Sequence, residues 1–188
     1  MDWDSLQVEL DEIAAKPEHD ERLADYRRLL ADLSPGDEGR AEILSCLADE
    51  LRTDGALDEA RTTYQAAIDD GGRTILDPRA GLLAVALTSG DDATADELLT
   101  TLLARSRAGD LVVGDHEWIA DSLEEAGRLR AALRWFTIPL RDIDPGDVDR
   151  MPIMCLDGRW RVRRALGLPL DAYDDAHDVW HQADDAQR

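Results

Sequence analysis

His177 and His181 lie four residues apart, with Asp174 and Asp178 beside them. On a helix that spacing puts both imidazoles on one face, where they could chelate a divalent cation with either aspartate as third ligand. No HExxH pattern accompanies the pair, so it carries no signature of catalysis. The plainer reading is two exposed residues on a polar terminal helix, and no metal or cofactor is expected. His19 and His116 are isolated. Cys46 and Cys155 belong to no CxxC or other metal spacing and read as small apolar residues on buried helix faces. Neither GxxxxGK[ST] nor a GxGxxG after a strand occurs, and no serine, histidine and aspartate set stands out. Nothing in the chain argues for an enzyme.

A second chemistry-bearing cluster is cationic: Arg159-Trp160-Arg161-Val162-Arg163-Arg164. On a helix, Arg159 and Arg163 share one side, as do Trp160 and Arg164. The simplest role is internal: the arginines pair with acids of neighbouring helices while Trp160 packs in the core. The alternative is a docking patch of Arg159, Trp160, Arg163 and Arg164, for an anionic partner or for a second copy in a homodimer.

The run matters because the rest of the protein is acidic. Forty-two acidic residues face twenty-one basic ones in 188 residues, a formal net charge of −21. A field of that sign opposes binding to nucleic acid or an anionic membrane surface, since phosphate contacts need clustered cations. Only Lys16 is a lysine, and the excess of Arg, Ala, Gly and Asp resembles coding from a high-GC source, actinobacterial or halophilic. No apolar stretch approaches the ~18–20 residues of a membrane span. Met1-Asp2-Trp3-Asp4 offers no basic segment ahead of an apolar run, so a cytoplasmic protein is expected.

The elements that must position these residues are helical and repeated. Three segments align without gaps: Leu47 to Ile68, Leu82 to Leu103 and Ile119 to Leu140. Each carries a glycine (Gly55, Gly90, Gly127), an alanine five residues on (Ala60, Ala95, Ala132) and a large apolar residue four further (Tyr64, Leu99, Phe136). Apolar residues recur at helical spacing before each glycine, as in Leu44, Leu47, Ala48 and Leu51. The glycine then ends the helix by entering the left-handed region. A second helix follows, whose alanine lets the pair approach closely. Such hairpins cannot bury both apolar faces alone, so they are expected to stack.

That order of Gly, Ala and aromatic near a 34-residue period resembles the tetratricopeptide repeat. The resemblance covers residues 40–142. It implies an all-α fold, a right-handed stack of antiparallel helical hairpins with helical caps, as one helical-repeat domain over 1–188. Residues 3–33 then form an N-terminal hairpin cap broken at Lys16-Pro17-Glu18, and residues 147–183 hold C-terminal helices split at Gly167-Leu168-Pro169. Asp77-Pro78 should open a helix, Pro139 should end one early or kink it, and Asp184 to Arg188 should fray. The tail also resembles the end of actinobacterial tetratricopeptide-type proteins, some of which carry a cysteine-rich SEC-C metal-binding motif. That motif is absent here.

In this family the exposed residues of each first helix line a concave groove. The resemblance places Glu42, Ser45, Asp49, Arg52, Asp77, Ala80, Ala84, Glu117, Asp121 and Glu124 there. Chaperone-binding members clamp a terminal carboxylate with lysines and asparagines, and this chain has acids instead, so that activity does not transfer. The expected function is an adaptor or scaffold holding a basic or apolar peptide segment of a partner protein. A self-associating structural module built on the arginine helix is the alternative, and an enzyme or metal sensor the remote one.

Overall fold

The computed structural model describes the backbone of residues 2–185 and the side chains of residues 2–182. All regular structure among the described residues is helical, as the periodicity predicts, and the chain forms two compact units, 1–108 and 109–188. The fraying expected at the C-terminal end falls on side chains and residues outside the described set.

The first unit holds α1 (Trp3–Ala14), α2 (His19–Ala31), α3 (Arg40–Thr53), α4 (Leu57–Asp70), α5 (Pro78–Thr88) and α6 (Asp92–Ala108). Pro17 falls in the break between α1 and α2, where its missing N–H harms neither helix. Leu6, Leu10 and Ile13 of α1 and Leu23 and Tyr26 of α2 are buried. Arg22 of α2 grips Glu50 of α3 through two 2.9 Å bonds from Nε and Nη2. Asp77 caps α5 by accepting the Arg79 N–H at 3.0 Å, with Pro78 in the first turn.

Helix α5 is apolar all round, and Gly81 through Ala86 are buried without a break. It packs on α3, α4 and α6. Ala80 and Ala84 are 0% and 5% exposed, which corrects their assignment to an exposed groove wall. Asp77 is also buried, held by its cap and by Arg105 Nε at 2.6 Å.

The second unit holds α7 (Val113–Glu125), α8 (Leu129–Thr137), a 3₁₀ turn (Val148–Arg150), α9 (Ile153–Ala165) and α10 (Ala172–Asp185). Helix α8 stops two residues before Pro139, as that residue requires. Helix α9 packs on both α7 and α8, and α10 packs on α9. This repeats the pattern in the first unit, where α5 packs on both α3 and α4.

Gly55, Gly90 and Gly127 have φ of 81°, 70° and 73°, and each ends its helix with the same six-residue closure. The N–H after the glycine reaches back to the carbonyl of Leu51, Ala86 or Leu123 at 2.8–2.9 Å. Gly167, φ 64°, closes α9 identically through Leu168 N–H to Arg163 O at 3.1 Å. A fourth hairpin, α9–α10, therefore ends its first helix as the other three do.

Candidate functional site

Glu42, Ser45, Asp49 and Arg52, four of the residues expected to line a groove, lie on α3, and the fold engages most of them. Glu42 is 6% exposed, not solvent-facing as expected, because residues after α4 fold back and the Ile75 N–H donates to its Oε2 at 2.9 Å. Asp49 accepts the Tyr64 hydroxyl at 2.6 Å and has Arg52 Nη2 at 3.7 Å. Burial raises both carboxyls above the usual range, although the Ile75 and Tyr64 bonds oppose it. Cys46 lies near them, and burial, then the charges of Glu42 and Asp49, push its thiol up. It is a free thiol kept protonated and unreactive at neutral pH.

Helix α7, in the second unit, carries the other expected residues. Glu117, Asp121 and Glu124 follow at helical spacing on one side. Arg161 of α9 bridges the last two, with Nε to Glu124 at 2.9 Å, Nη2 to Glu124 at 2.7 Å and Nη2 to Asp121 at 3.1 Å. Glu117 stands one turn away, half-buried, with no hydrogen bond or ion pair among the described residues. Burial and then the Asp121 charge raise its carboxyl above the ordinary range. Asp121 is raised as well, because burial together with Glu124 and Glu125 outweighs Arg161. The fully buried Cys155 thiol is pushed up to about 12 by burial first, then by the charges of Glu117 and Asp121. Met154 of α9, 57% exposed, precedes Arg161 by two turns on the same helix face.

The proposed docking patch is largely engaged inside its own unit. Arg159 is 5% exposed and binds Asp171 and Asp174, and Arg163 binds the same two carboxylates. Trp160 stacks on His177 with centroids 4.5 Å apart and planes 8° from parallel, and Arg164 lies over its ring at 4.8 Å. Together with the Arg161 bridge, this matches the internal pairing that the sequence offered as the simpler role for Arg159, Arg161 and Arg163, whereas Trp160 is half-buried instead of packed in the core and Arg164 is exposed.

His177 is buried, 8% exposed, against the expectation of a solvent-facing residue, while His181 is half-buried. Of the two aspartates expected beside them, Asp178 does lie 3.0 Å from His177 Nδ1, but Asp174 does not serve the rings. Asp174 is committed to the two arginines and to the start of α10, where it accepts the Asp171 N–H at 2.9 Å. The acid that faces both rings is Asp157 of α9, twenty residues before His177 and invisible to local spacing.

The raised carboxyls make stability depend on pH in a stated direction. A carboxyl raised in the fold favours the native state when protonated, and that contribution fades as pH climbs from the ordinary value, 3.8 for Asp or 4.5 for Glu, to the higher folded value. The depressed carboxyls of Asp25, held down chiefly by Lys16, and Asp91, by Thr94, act oppositely and lose their contribution as pH falls below 3.8. Melting midpoints are thus expected to peak in mildly acid solution and fall toward pH 8, with self-repulsion of the net charge adding to the same slope. Calorimetric melts from pH 3 to 8 check this, and Glu42→Gln should flatten the falling limb on the alkaline side of the peak. A midpoint that climbs steadily to pH 8 would contradict it.

No protein-family model matches the chain, and no curated protein or solved structure matches it.

Proposed function

We propose that this protein is a tetratricopeptide-like helical-hairpin module that holds a cationic segment of a partner protein against the acidic face of α7. The observation that carries the reading is Glu117: a half-buried carboxylate beside a second raised carboxyl, with no bonding partner among the described residues. Folding gains nothing from removing such a group from water, since desolvation without a compensating bond is unfavourable. An arginine or lysine arriving there would recover that loss and relieve the repulsion from Asp121. Exposed Met154, on the same face of α9 as Arg161, offers apolar contact to the stem of such a side chain. The overall charge of −21 would steer a basic segment inward and make its capture salt-sensitive.

Titration of a fluorescent arginine-containing decapeptide into the whole chain tests this. The Glu117→Gln/Asp121→Asn double variant is expected to bind about tenfold or more weakly, in line with the loss of one or two charge-assisted contacts. Asp11→Asn/Glu12→Gln removes the same charge from exposed positions of α1 and should leave affinity almost unchanged. Equal weakening in the two double variants would reduce the effect to net charge and defeat the proposal.

A further inference from the structure

The geometry points to a binding site for one first-row divalent cation of the Zn²⁺ type, ligated by Asp157, His177 and His181 across the α9–α10 hairpin. One potential ligand atom from each of these three residues lies within 4.8 Å of the other two. His181 Nε2 is 3.0 Å from Asp157 Oδ1, and His177 Nε2 is 3.4 Å from the same oxygen. Nitrogen and oxygen ligands at about 2.0–2.2 Å from a common ion stand roughly 3.0–3.5 Å from one another, so both contacts already have the separation that coordination demands. Only the approach between the two imidazoles needs small ring rotations. Their centroids are 4.5 Å apart.

The surroundings of His177 supply an independent observation. Its Nδ1 lies 3.0 Å from Asp178 Oδ1, the pairing that fixes a metal-bound histidine with its other nitrogen free. In the tautomer whose Nδ1–H donates to Asp178, Nε2 turns its lone pair toward the Asp157 carboxylate. Two acceptors then face each other, and a cation between them satisfies both. Trp160 stacks flat on the His177 ring, and Trp180 meets His181 edge-on at 5.2 Å, so each imidazole is packed against an indole. The site has an entry path, because the Asp157 and His181 side chains are 31% and 45% exposed. Two imidazoles in three ligands suit Zn²⁺, Co²⁺ or Ni²⁺ and disfavour Mg²⁺ and Ca²⁺, and three protein ligands leave a position for water. The inference is independent of the acidic face on α7.

Calorimetric titration of the full chain with Zn²⁺ and absorption spectroscopy with Co²⁺, after treatment with chelator, test it. The expected result is one ion per chain, a Co²⁺ ligand-field band, and a melting midpoint raised by several degrees with Zn²⁺. Asp157→Asn and His181→Gln should each weaken binding about a hundredfold and remove the band, while Asp178→Asn weakens it about tenfold. His19→Gln, on α2, should change nothing, and circular dichroism of each variant confirms that it folds. Absence of Zn²⁺ heat and of the Co²⁺ band in the wild type would reduce the cluster to a polar clasp between two helices. Unchanged binding in folded Asp157→Asn, or Mg²⁺ binding as tightly as Zn²⁺, would equally overturn the site in favour of diffuse attraction to the acidic surface.

Discussion

Gly158→Ala is expected to lower the melting temperature by about 10 °C or more, through a loss of about 2–3 kcal/mol. The direction opposes helix propensity, which favours alanine over glycine in a helix interior by about 1 kcal/mol. The packing decides the sign. A Cβ at Gly158 would enter the ring of Phe136, reaching Cδ1 at 2.7 Å and the outer ring carbons closer still. Phe136 is 0% exposed and has no open side toward which to move. Gly81 stands in the same relation to Tyr64 in the first unit, where the added carbon would lie 2.5 Å from the hydroxyl and nearer to the ring. Tyr64 is also fully buried and anchored on Asp49, so Gly81→Ala should cost a similar amount. Melts of Gly158→Ala, Phe136→Leu and the double variant provide the decisive cycle. Leucine at 136 should destabilise alone yet recover part of the loss when alanine occupies 158, giving a coupling of about 1 kcal/mol. A Gly158→Ala protein as stable as the wild type would mean that the two helices are not in such close contact.

The same two glycines show how far the sequence can be read. The Gly, Ala, large-apolar order at 55–64, 90–99 and 127–136 predicts the helix ends, and each of those glycines does take a left-handed φ. Gly81 and Gly158 each lie nine residues before a terminating glycine, Gly90 and Gly167, so a signal for the fourth hairpin was present. It was obscured because α4, α6 and α8 begin two residues after their glycine, whereas α10 begins five after Gly167. The added Pro169-Leu170-Asp171 leaves Ala172, five after the glycine, at the very start of α10, and the position four further holds Ala176 in place of a large apolar residue. Long-range partners left less trace. Nothing near Glu42 foretells that the Ile75 amide will bury it, and nothing near His177 points to Asp157. The residues that distinguish α7 are visible as acids, but which of them Arg161 would pair and which it would leave alone depends on how α9 lies along α7. Periodicity reads out the helices, while the choice of partners between helices is set by packing geometry.

Arg159→Met should destabilise the second unit by about 3 kcal/mol, because it withdraws a cation from two carboxylates that the fold has gathered around it. Asp171 and Asp174 form a reciprocal cap at the start of α10: Asp171 Oδ1 accepts the N–H of Tyr173 at 3.1 Å and Asp174 Oδ2 accepts the N–H of Asp171 at 2.9 Å. Asp174 is only 3% exposed, so its charge is tolerable only with cations at hand. Arg159 meets Asp171 in a fork, Nη1 at 3.1 Å and Nη2 at 2.5 Å, and reaches Asp174 at 3.4 Å. Arg163 supplies the second cation, from Nε to Asp174 at 3.0 Å, but it is less enclosed and its loss leaves the Arg159 fork in place. Arg163→Met should therefore cost less, about 1–2 kcal/mol. Lysine at 159 cannot reproduce the fork and should recover only a minor part of the loss. Adding Asp174→Asn to Arg159→Met should restore stability in part, since it removes the buried charge left with fewer cations. Acid provides a further check. Burial pushes Asp171 up, but the bond from Arg159 and the charges of Arg159 and Arg163 outweigh it and hold the carboxyl below its ordinary value of 3.8. Its contribution is complete above that value and is lost as pH falls through the lower folded one. The gap in melting temperature between wild type and Arg159→Met should accordingly be full at pH 6 and close below about pH 4, and a gap that persists unchanged into that range would assign the arginine a packing role instead of an electrostatic one.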